Sequence, residues 1–205
     1  MRVSAFTFAK NAVRMNYPLR EAILSVLPVA DEVIVNVGMP DEDGTLEIVD
    51  GIGDPKIKII KSIWNPNINF GGYVLSQQTN ISLFNCTGNW AIYFQADEVF
   101  HEVDYDILID HMKRLQNDDR IEALSVNRIH FLGAFKQLLT HTETNACAVS
   151  LNLTGLFYHA ETPQGLQFTQ NTRNMAAEFE LWRWMRGCTT MDWSYRGRLI
   201  RRAPK

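Results

Sequence analysis

The stretch WAIYFQADE, residues 90–98, decides how the rest of the chain is interpreted, because a continuous apolar run gives way at once to acidic residues. Its first five residues are typical of a strand buried on both faces, as in a parallel sheet covered by helices. A carboxylate removed from water is destabilised unless a partner compensates it. Asp97 and Glu98 therefore either face a cleft with a cation or begin a loop that caps the next helix, and the local sequence leaves both interpretations open.

Strands and helices alternate on both sides of this stretch. Apolar residues at helical spacing mark the helices, and runs rich in β-branched residues mark the strands. Strands are predicted at residues 3–9, 32–37, 56–61, 90–94 and 122–131, and helices at 18–27, from 45 onward, at 73–85 and at 103–115. The last helix should bury one face, formed by Val103, Ile107, Leu108, Met112 and Leu115. Weaker patterns without clean periodicity suggest a strand pair at 146–158 and a helix at 173–186. This alternation predicts an α/β fold with a mostly parallel central sheet and helices on both faces.

Polar segments follow three of these strands. They are Lys10-Asn11, the turn at residues 41–45 and the segment at 95–98. Parallel sheets of this kind bind ligands at the carboxyl ends of their strands. We therefore expect the three segments to converge and to form a site.

Composition limits the classes of function. The 205 residues, 46% hydrophobic and 21% charged, fit one ordinary globular domain with a small appendage. A net charge of −3 without a basic, aromatic-rich stripe argues against a nucleic-acid partner. No apolar run approaches the roughly 20 residues of a bilayer span, so no integral membrane segment is expected. Three widely spaced cysteines favour reduced thiols and a cytoplasmic location.

The segment GNWAIYFQADEVFHE, residues 88–102, resembles the stretch of family-2 glycosyltransferases in which GDWILxLDADE carries the Asp-x-Asp motif. FAKNA, DEDGT and GGYVLSQQTNISL resemble other segments of that family in the same order. The resemblance covers residues 1–131 and ends after HFLG at 130–133. It implies a GT-A fold with a Rossmann-like nucleotide-binding half for residues 1–131. Residues 132–205 would be either the acceptor side or an altered tail.

The same resemblance implies a function for the acidic segment. It implies a nucleoside-diphosphate sugar donor, Mg²⁺ or Mn²⁺, and inverting transfer to a hydroxyl of a glycan, a lipid-linked glycan or a small molecule. Asp97 aligns with the last Asp of the motif and is the expected metal ligand, with Glu98 as a second acid. Gln95 stands where the first Asp of the motif is usual. Its amide can bind a ribose hydroxyl but offers a metal little.

Four further residues are candidates for substrate binding. Asn11 lines a nucleotide pocket or caps a turn. Asp41 or Asp43 replaces the base-contacting carboxylate that the family carries near positions 38 and 39, or belongs to an ordinary Asp-Gly turn. Gly72 lets a helix N-terminus approach a diphosphate, or lies in a flexible loop.

No catalytic base is identified in the sequence. The candidates are acids by residue type only: Glu143, Glu161, Glu178, Glu180 and Asp192. The leading hypothesis is a glycosyltransferase, and the alternative is a binding-only relic that keeps nucleotide affinity without turnover. A nucleotidyltransferase is disfavoured because Phe8-Ala9-Lys10-Asn11 is not a glycine-rich phosphate loop.

Overall fold

The computed structural model describes residues 1–68, 72–118, 121–129, 143–150, 156–161, 165–170, 176–177, 190–191 and 199–201, with side chains up to residue 118 and at 123, 124 and 126. Its first half alternates between strands and helices as expected. In chain order these are β1 (Val3–Ala9), α1 (Leu19–Val26), β2 (Glu32–Met39), α2 (Thr45–Asp50), β3 (Ile57–Ile63), α3 (Tyr73–Phe84), β4 (Trp90–Tyr93), α4 (Tyr105–Leu115) and β5 (Ile121–Ile129).

Four parallel strands lie side by side in the main sheet and form one side of it. Their order is β4-β1-β2-β3, with β1 in the middle pairing with both β4 and β2. Parallel neighbours require crossover connections, and the helices lie in these connections. The predicted fold class is confirmed: an α/β fold with a mostly parallel central sheet.

Helices cover both faces of this sheet. Side chains alternate along each strand, and residues such as Val35 on one face join a core with Ile23 of α1 and Met112 of α4. On the opposite face Asn36 of β2 donates to the backbone and side-chain oxygens of Gln78 in α3, at 3.2 and 2.9 Å. The two faces therefore differ in chemistry, apolar beneath α1 and α4 and partly polar beneath α3.

The start of α4 differs from the prediction. Val103 and Ile107 were expected on the buried face with Leu108 and Met112, but they are 68% and 40% exposed. Residues Glu102–Asp104 form a 3₁₀ turn before the α-helix begins. Because a 3₁₀ turn has three residues per turn rather than 3.6, Val103 is out of phase with the buried residues of α4.

The C-terminal region also contributes strands to the main sheet. β6 (Glu143–Ser150) lies antiparallel between β4 and β5. The strands β7 (Leu156–Glu161), β8 (Gly165–Gln170) and β9 (Ala176–Ala177) form a second sheet, and β10 (Thr190–Met191) and β11 (Leu199–Arg201) pair with β5. A boundary at residue 131 stays a prediction.

Two expectations for this region were wrong in part. The pattern at 146–158 predicted a strand pair, but β6 and β7 belong to different sheets, because β6 completes the main sheet between β4 and β5. A helix was expected at 173–186, whereas Ala176–Ala177 pairs with β8 as a strand. The rest of that segment and HFLG at 130–133 lie outside the described residues, as do the side chains of the five candidate bases.

A buried carboxylate ties the strands together at the amino end of the sheet. Glu32 Oε1 accepts from the Ser4 hydroxyl at 2.6 Å and from the backbone and hydroxyl of Thr87 at 2.7 and 2.8 Å. Its Oε2 forms ion pairs with Lys58 at 2.6 Å and Arg2 at 3.4 Å. Burial opposes ionisation, but the bonds from Lys58, Ser4 and Thr87 outweigh it and lower the pKa of Glu32 to about 2.

This arrangement makes stability depend on pH. A carboxylate with a lowered pKa in the folded state stabilises the fold above its unfolded pKa and ceases to do so as the pH falls toward about 2. We expect Glu32→Gln to lower the free energy of unfolding at pH 7 by roughly 3 kcal/mol. The deficit relative to wild type should shrink between pH 5 and pH 2 in urea unfolding curves. The exposed Glu42→Gln is the matched control, and an equal loss in that variant would contradict this role for Glu32.

Candidate functional site

The strand register brings several loops to the carboxyl edge of the sheet. Phe6 of β1 lies opposite Tyr93 of β4, and Phe94 N donates to Phe6 O at 3.2 Å. Ala9 at the end of β1 lies opposite Val37 of β2. The loops that follow β1, β2 and β4 therefore leave the sheet side by side, which is the convergence expected from the sequence.

The loop after β1 is tied directly to the turn after β2. Thr45 Oγ1 accepts from Ala12 N at 2.8 Å and donates to Asp43 Oδ1 at 2.6 Å. Asp43 Oδ2 accepts from Arg14 N at 2.9 Å. Burial opposes ionisation of Asp43, but the hydrogen bonds from Arg14 and Thr45 outweigh it and lower its pKa to about 2. Asp43 is therefore an anion at neutral pH whose charge fixes the loop at residues 11–17.

Asp41 performs a second local task in the same turn. Its carboxylate accepts from Thr45 N at 3.2 Å and from Leu46 N at 2.9 Å, which are backbone donors of the first turn of α2. Carboxylates are stabilised at a helix N-terminus because these donors have no partner within the helix. Both predicted acids of the turn thus have structural partners, and their contact with a nucleotide stays a prediction.

The acidic turn after β4 separates its two carboxylates. Glu98 is fully buried, and its Oε2 accepts from Gln95 N at 3.0 Å while Glu98 N donates to Gln95 O at 3.2 Å. Asp97 is partly exposed. Glu98 therefore supports the turn from inside, and Asp97 is the acid that remains accessible from the edge of the sheet.

The segment after this turn is anchored on α1. Phe100 N donates to Ser25 Oγ at 3.0 Å, and the Tyr105 hydroxyl donates to Ser25 O at 2.8 Å. Ser25 lies near the end of α1, whose buried face packs on the sheet. The turn that carries Asp97 is consequently held by the bond between Gln95 N and the buried Glu98 carboxylate, and the segment that follows it is held by Ser25 of α1.

Sequence reasoning did not associate Tyr17 with this acid. Burial, and then the negative charge of Asp97, raises the pKa of the Tyr17 phenol. Tyr17 ends the loop at residues 11–17, and its N–H donates to Ala12 O at 2.9 Å. One loop thus contacts Asp43 on the β2 side and brings Tyr17 within the electrostatic influence of Asp97 on the β4 side. Eighty residues separate Tyr17 from Asp97, so no local pattern reveals the pair.

The remaining predicted residues lie around this edge. Asn11 begins the loop in the left-handed region, with φ of 56°, and its carbonyl accepts from Met15 N at 2.9 Å. Gly72 also has positive φ, 73°, and immediately precedes α3. Residues 69–71 beside it lie outside the described part of the chain. Trp64 follows β3 and packs against Gly38 of β2.

A divalent cation at this edge would need ligands from a substrate or from water in addition to those from the protein. Within residues 1–68 and 72–118, no three His, Cys, Asp or Glu side chains are placed to hold a metal together. Mg²⁺ commonly keeps several waters and binds through one or two carboxylates plus substrate phosphates. Asp97 fits the protein's share of such a site, and Glu98 lies beneath it.

Comparisons with known proteins give fold likeness only. No family model matches the chain, and no curated protein matches it. None of the helices in the described ranges has the length and apolar character that a bilayer span needs.

Several solved structures share part of the fold. TarS of S. aureus is 16% identical over 65% of this chain and 37% of its own, with a TM-score of 0.47. Glucosyl-3-phosphoglycerate synthase from Mycobacterium tuberculosis, solved with Mn²⁺, UDP and phosphoglyceric acid, is 15% identical over 77% of this chain and 59% of its own, also at 0.47. 4-diphosphocytidyl-2C-methyl-D-erythritol synthase is 10% identical over 74% and 76%, at 0.46. At these values the function of this chain has to be inferred from its own site.

The Thr45 hydroxyl offers a direct test of the site's framework. Thr45→Val keeps the shape of the side chain but leaves the buried Ala12 N–H without an acceptor, which should cost about 1–3 kcal/mol in the free energy of unfolding. Amide exchange at Ala12 and Arg14 should accelerate in the same variant. Thr45→Ser, which retains the hydroxyl, is the matched control. Unchanged exchange in Thr45→Val would show that the two loops are held by other contacts.

Proposed function

We propose that this chain is a glycosyltransferase that moves a sugar from a nucleoside diphosphate to an acceptor hydroxyl with the help of Mg²⁺ or Mn²⁺. The observation that carries the proposal is the convergence, at the carboxyl edge of a parallel sheet, of Asp97 with the loop that Asp43 and Thr45 hold in place. Ligands of α/β sheets bind at this edge. The resemblance of residues 88–102 to the family's metal segment supports the same assignment.

Each candidate residue has a defined role in this proposal. Asp97 is the protein ligand of the cation, which would neutralise charge on the departing nucleoside diphosphate. Glu98, buried beneath the turn, holds the turn that carries Asp97 in position through its bond from Gln95 N. Gln95 offers an amide to the ribose, and Asn11 lines the nucleotide pocket. Gly72 places the N-terminus of α3 toward the diphosphate.

Tyr17 extends the list of residues at the donor. A tyrosine phenol is protonated at neutral pH, and the raised pKa of Tyr17 makes its loss of a proton harder still, so it can donate a hydrogen bond near the charge of Asp97. A neutral donor at this position suits a phosphate oxygen or a carboxylate equally. Asp41 and Asp43 act through the backbone that they fix, and any direct contact with the nucleotide adds to that role.

The β4 turn offers one accessible carboxylate, that of Asp97, and this has a consequence for metal binding. Because Asp97 alone supplies few ligands, the cation should bind weakly to the free protein and tightly only when a diphosphate supplies further oxygens. Metal affinity and nucleotide affinity are then coupled, and each ligand strengthens the other by the same factor. Calorimetry with and without Mn²⁺ measures that factor directly.

Asp97→Asn tests the metal assignment. The variant should lose at least about tenfold of the Mn²⁺-dependent gain in nucleoside-diphosphate affinity, roughly 1.4 kcal/mol, while metal-free binding does not weaken. Asp106→Asn, which alters an exposed acid of α4, is the matched control. A Mn²⁺ dependence that survives in Asp97→Asn would place the metal elsewhere.

The same titrations separate an enzyme from a binding-only relic. With Mn²⁺ present, wild type should release the nucleoside diphosphate from a nucleotide sugar, and Asp97→Asn should slow that release. Binding without release would support the relic, an alternative favoured by the neutral Gln95 in the acidic turn. The absence of any nucleoside-diphosphate binding would refute both functions.

Gln95 permits a gain-of-function test. Gln95→Asp adds a second carboxylate to the turn, so we expect Mn²⁺ affinity in the presence of a nucleoside diphosphate to rise by about tenfold. Gln95→Asn keeps an amide and should leave the metal affinity unchanged. Since the backbone N–H of residue 95 makes the bond to Glu98, neither substitution removes that contact. Equal metal affinity in the two variants would place the side chain of residue 95 outside the metal's reach.

A further inference from the structure

One edge of the main sheet is formed by β3, which has a neighbouring strand on one side only. It pairs with β2 along its whole length, and no other strand of the described chain pairs with it. Seven of the eight residues of β2 are buried, whereas none of the seven residues of β3 is, and Ile63 is 79% exposed. A strand edge of this length presents unpaired backbone N–H and C=O groups to any chain that can pair with them.

The hydrogen-bond register identifies the backbone groups of β3 that point outward. Val33 N of β2 donates to Lys56 O at 2.9 Å, and Val33 lies opposite Ile57. Because a strand in a parallel ladder bonds to one neighbour through alternate residues, the even-numbered residues of β3 bond to β2. The N–H and C=O groups of the odd-numbered residues, at 57, 59, 61 and 63, point away from the sheet.

Two of the three lysines at this edge are occupied inside the fold. Edge strands commonly carry lysines that keep other chains away. Lys56 Nζ, however, donates to two backbone carbonyls that follow α1, both at 2.9 Å, and Lys58 Nζ forms an ion pair with the buried Glu32 at 2.6 Å. Lys61 has no carboxylate within ion-pair distance among the described side chains. Its charge is therefore the one that can meet an acidic partner.

We infer that β3 pairs with β3 of a second copy of this chain, antiparallel and about a twofold axis at Ile60. Antiparallel strands exchange hydrogen bonds between residues whose backbone groups face each other, so the odd-numbered residues must pair with odd-numbered ones. An axis at Ile60 pairs Ile57 with Ile63 and Ile59 with Lys61, so all seven residues take part. It also brings the two Ile60 side chains together as a β-branched pair, which stabilises a sheet. An axis at Lys61 would instead oppose two lysines.

The groove beside Ile59 is complementary in charge to the residue that this pairing brings there. The groove is lined by four acids of the β2–α2 segment together with Lys61, and three of these acids are exposed; the four are Asp41, Glu42, Glu47 and Asp50. In the pairing about Ile60, Lys61 of each copy lies opposite Ile59 of the other and adds a second cation to the acidic groove. A twofold interface makes this contact twice, because the same surface serves both copies.

The other side of the sheet limits the assembly to two copies. There β5 is paired with β10 and β11, which are two and three residues long. Very short strands offer few backbone groups to a further chain. The antiparallel pairing of β3 also points the carboxyl edges of the two sheets in opposite directions, so the two candidate sites lie at opposite ends of the joint sheet.

Sedimentation equilibrium of the full chain tests this pairing. One seven-residue strand pair with a flanking groove is a small interface, so we expect a dissociation constant on the order of 10 µM. Ile60→Lys and Ile60→Glu each place like charges opposite each other and should weaken the dimer at least about tenfold. An equimolar mixture of the two variants pairs Lys with Glu and should restore it. Ile107→Lys, at a partly exposed position of α4, is the matched control.

Amide exchange provides a readout that a dimer through another surface would not give. The outward N–H groups of Ile59 and Lys61 should gain protection as the protein concentration rises. The N–H groups of Lys58 and Ile60, which bond to β2, should keep the same protection at every concentration. This alternation along one strand is specific to pairing through the edge of β3.

Three results would overturn the inference. The first is a chain that stays monomeric at about 200 µM, well above the expected dissociation constant. The second is a dimer that Ile60→Lys leaves intact, and the third is protection at Ile59 and Lys61 that does not change with concentration. If Ile60→Lys fails to fold, Lys61→Glu replaces it, because this exposed substitution sets an acid against the acidic groove and should also weaken the dimer at least about tenfold. All of these results leave the proposed function standing.

Discussion

The candidate site depends on one hydroxyl group. Thr45 Oγ1 accepts from the backbone after β1 and donates to Asp43, which in turn accepts from the same backbone two residues further on. Parallel strands bring loops to a common edge but leave the loops free to point apart. The Thr45 hydroxyl and the Asp43 carboxylate remove that freedom for the loop at residues 11–17. Because Tyr17 ends this loop beside Asp97, the same two groups also determine what surrounds the accessible acid of the β4 turn.

Sequence reasoning located the strands and helices of the first half well, since each has a strong local pattern. The apolar run before Asp97 corresponds to β4, and the β-branched run at 32–37 corresponds to β2. Both predicted boundaries differ from those of the structure by one or two residues. The errors arose where a contact distant in sequence decides the outcome. β6 joins β4 and β5 because it fills the space between them, which no periodicity within 146–158 reveals. Val103 was assigned to the buried face of α4 because the 3₁₀ turn ahead of the helix leaves no signature in hydrophobic spacing.

Within the site, the positions of the acidic residues could be predicted from the sequence, but the structural role of each acid could not. The acids at 41, 43, 97 and 98 are all evident from the sequence, yet the structure gives them different surroundings. Asp41 caps a helix, Asp43 fixes a neighbouring loop, Glu98 lies buried under its own turn, and Asp97 is partly exposed. Adjacent side chains in a turn point in different directions, so two neighbouring carboxylates usually have different burial and different partners. Only coordinates separate a structural acid from an accessible one.

The charge at this edge leads to one last consequence. Asp43 is ionised at neutral pH because its pKa is lowered to about 2, and the partly exposed Asp97 lies in the β4 turn at the same edge of the sheet. Backbone N–H groups take up part of the charge of Asp41 and Asp43, but these are dipoles and not cations. A diphosphate would therefore approach an edge where the field is negative on the β4 side and relieved by Lys10 on the β3 side. Like charges repel strongly in partly buried surroundings, so under the proposed function a divalent cation that accompanies the phosphates would offset this repulsion. In that function the acidic turn would favour a metal–nucleotide complex over the free nucleotide, and the neutral Gln95 would repel the phosphates less than an acid at the same position.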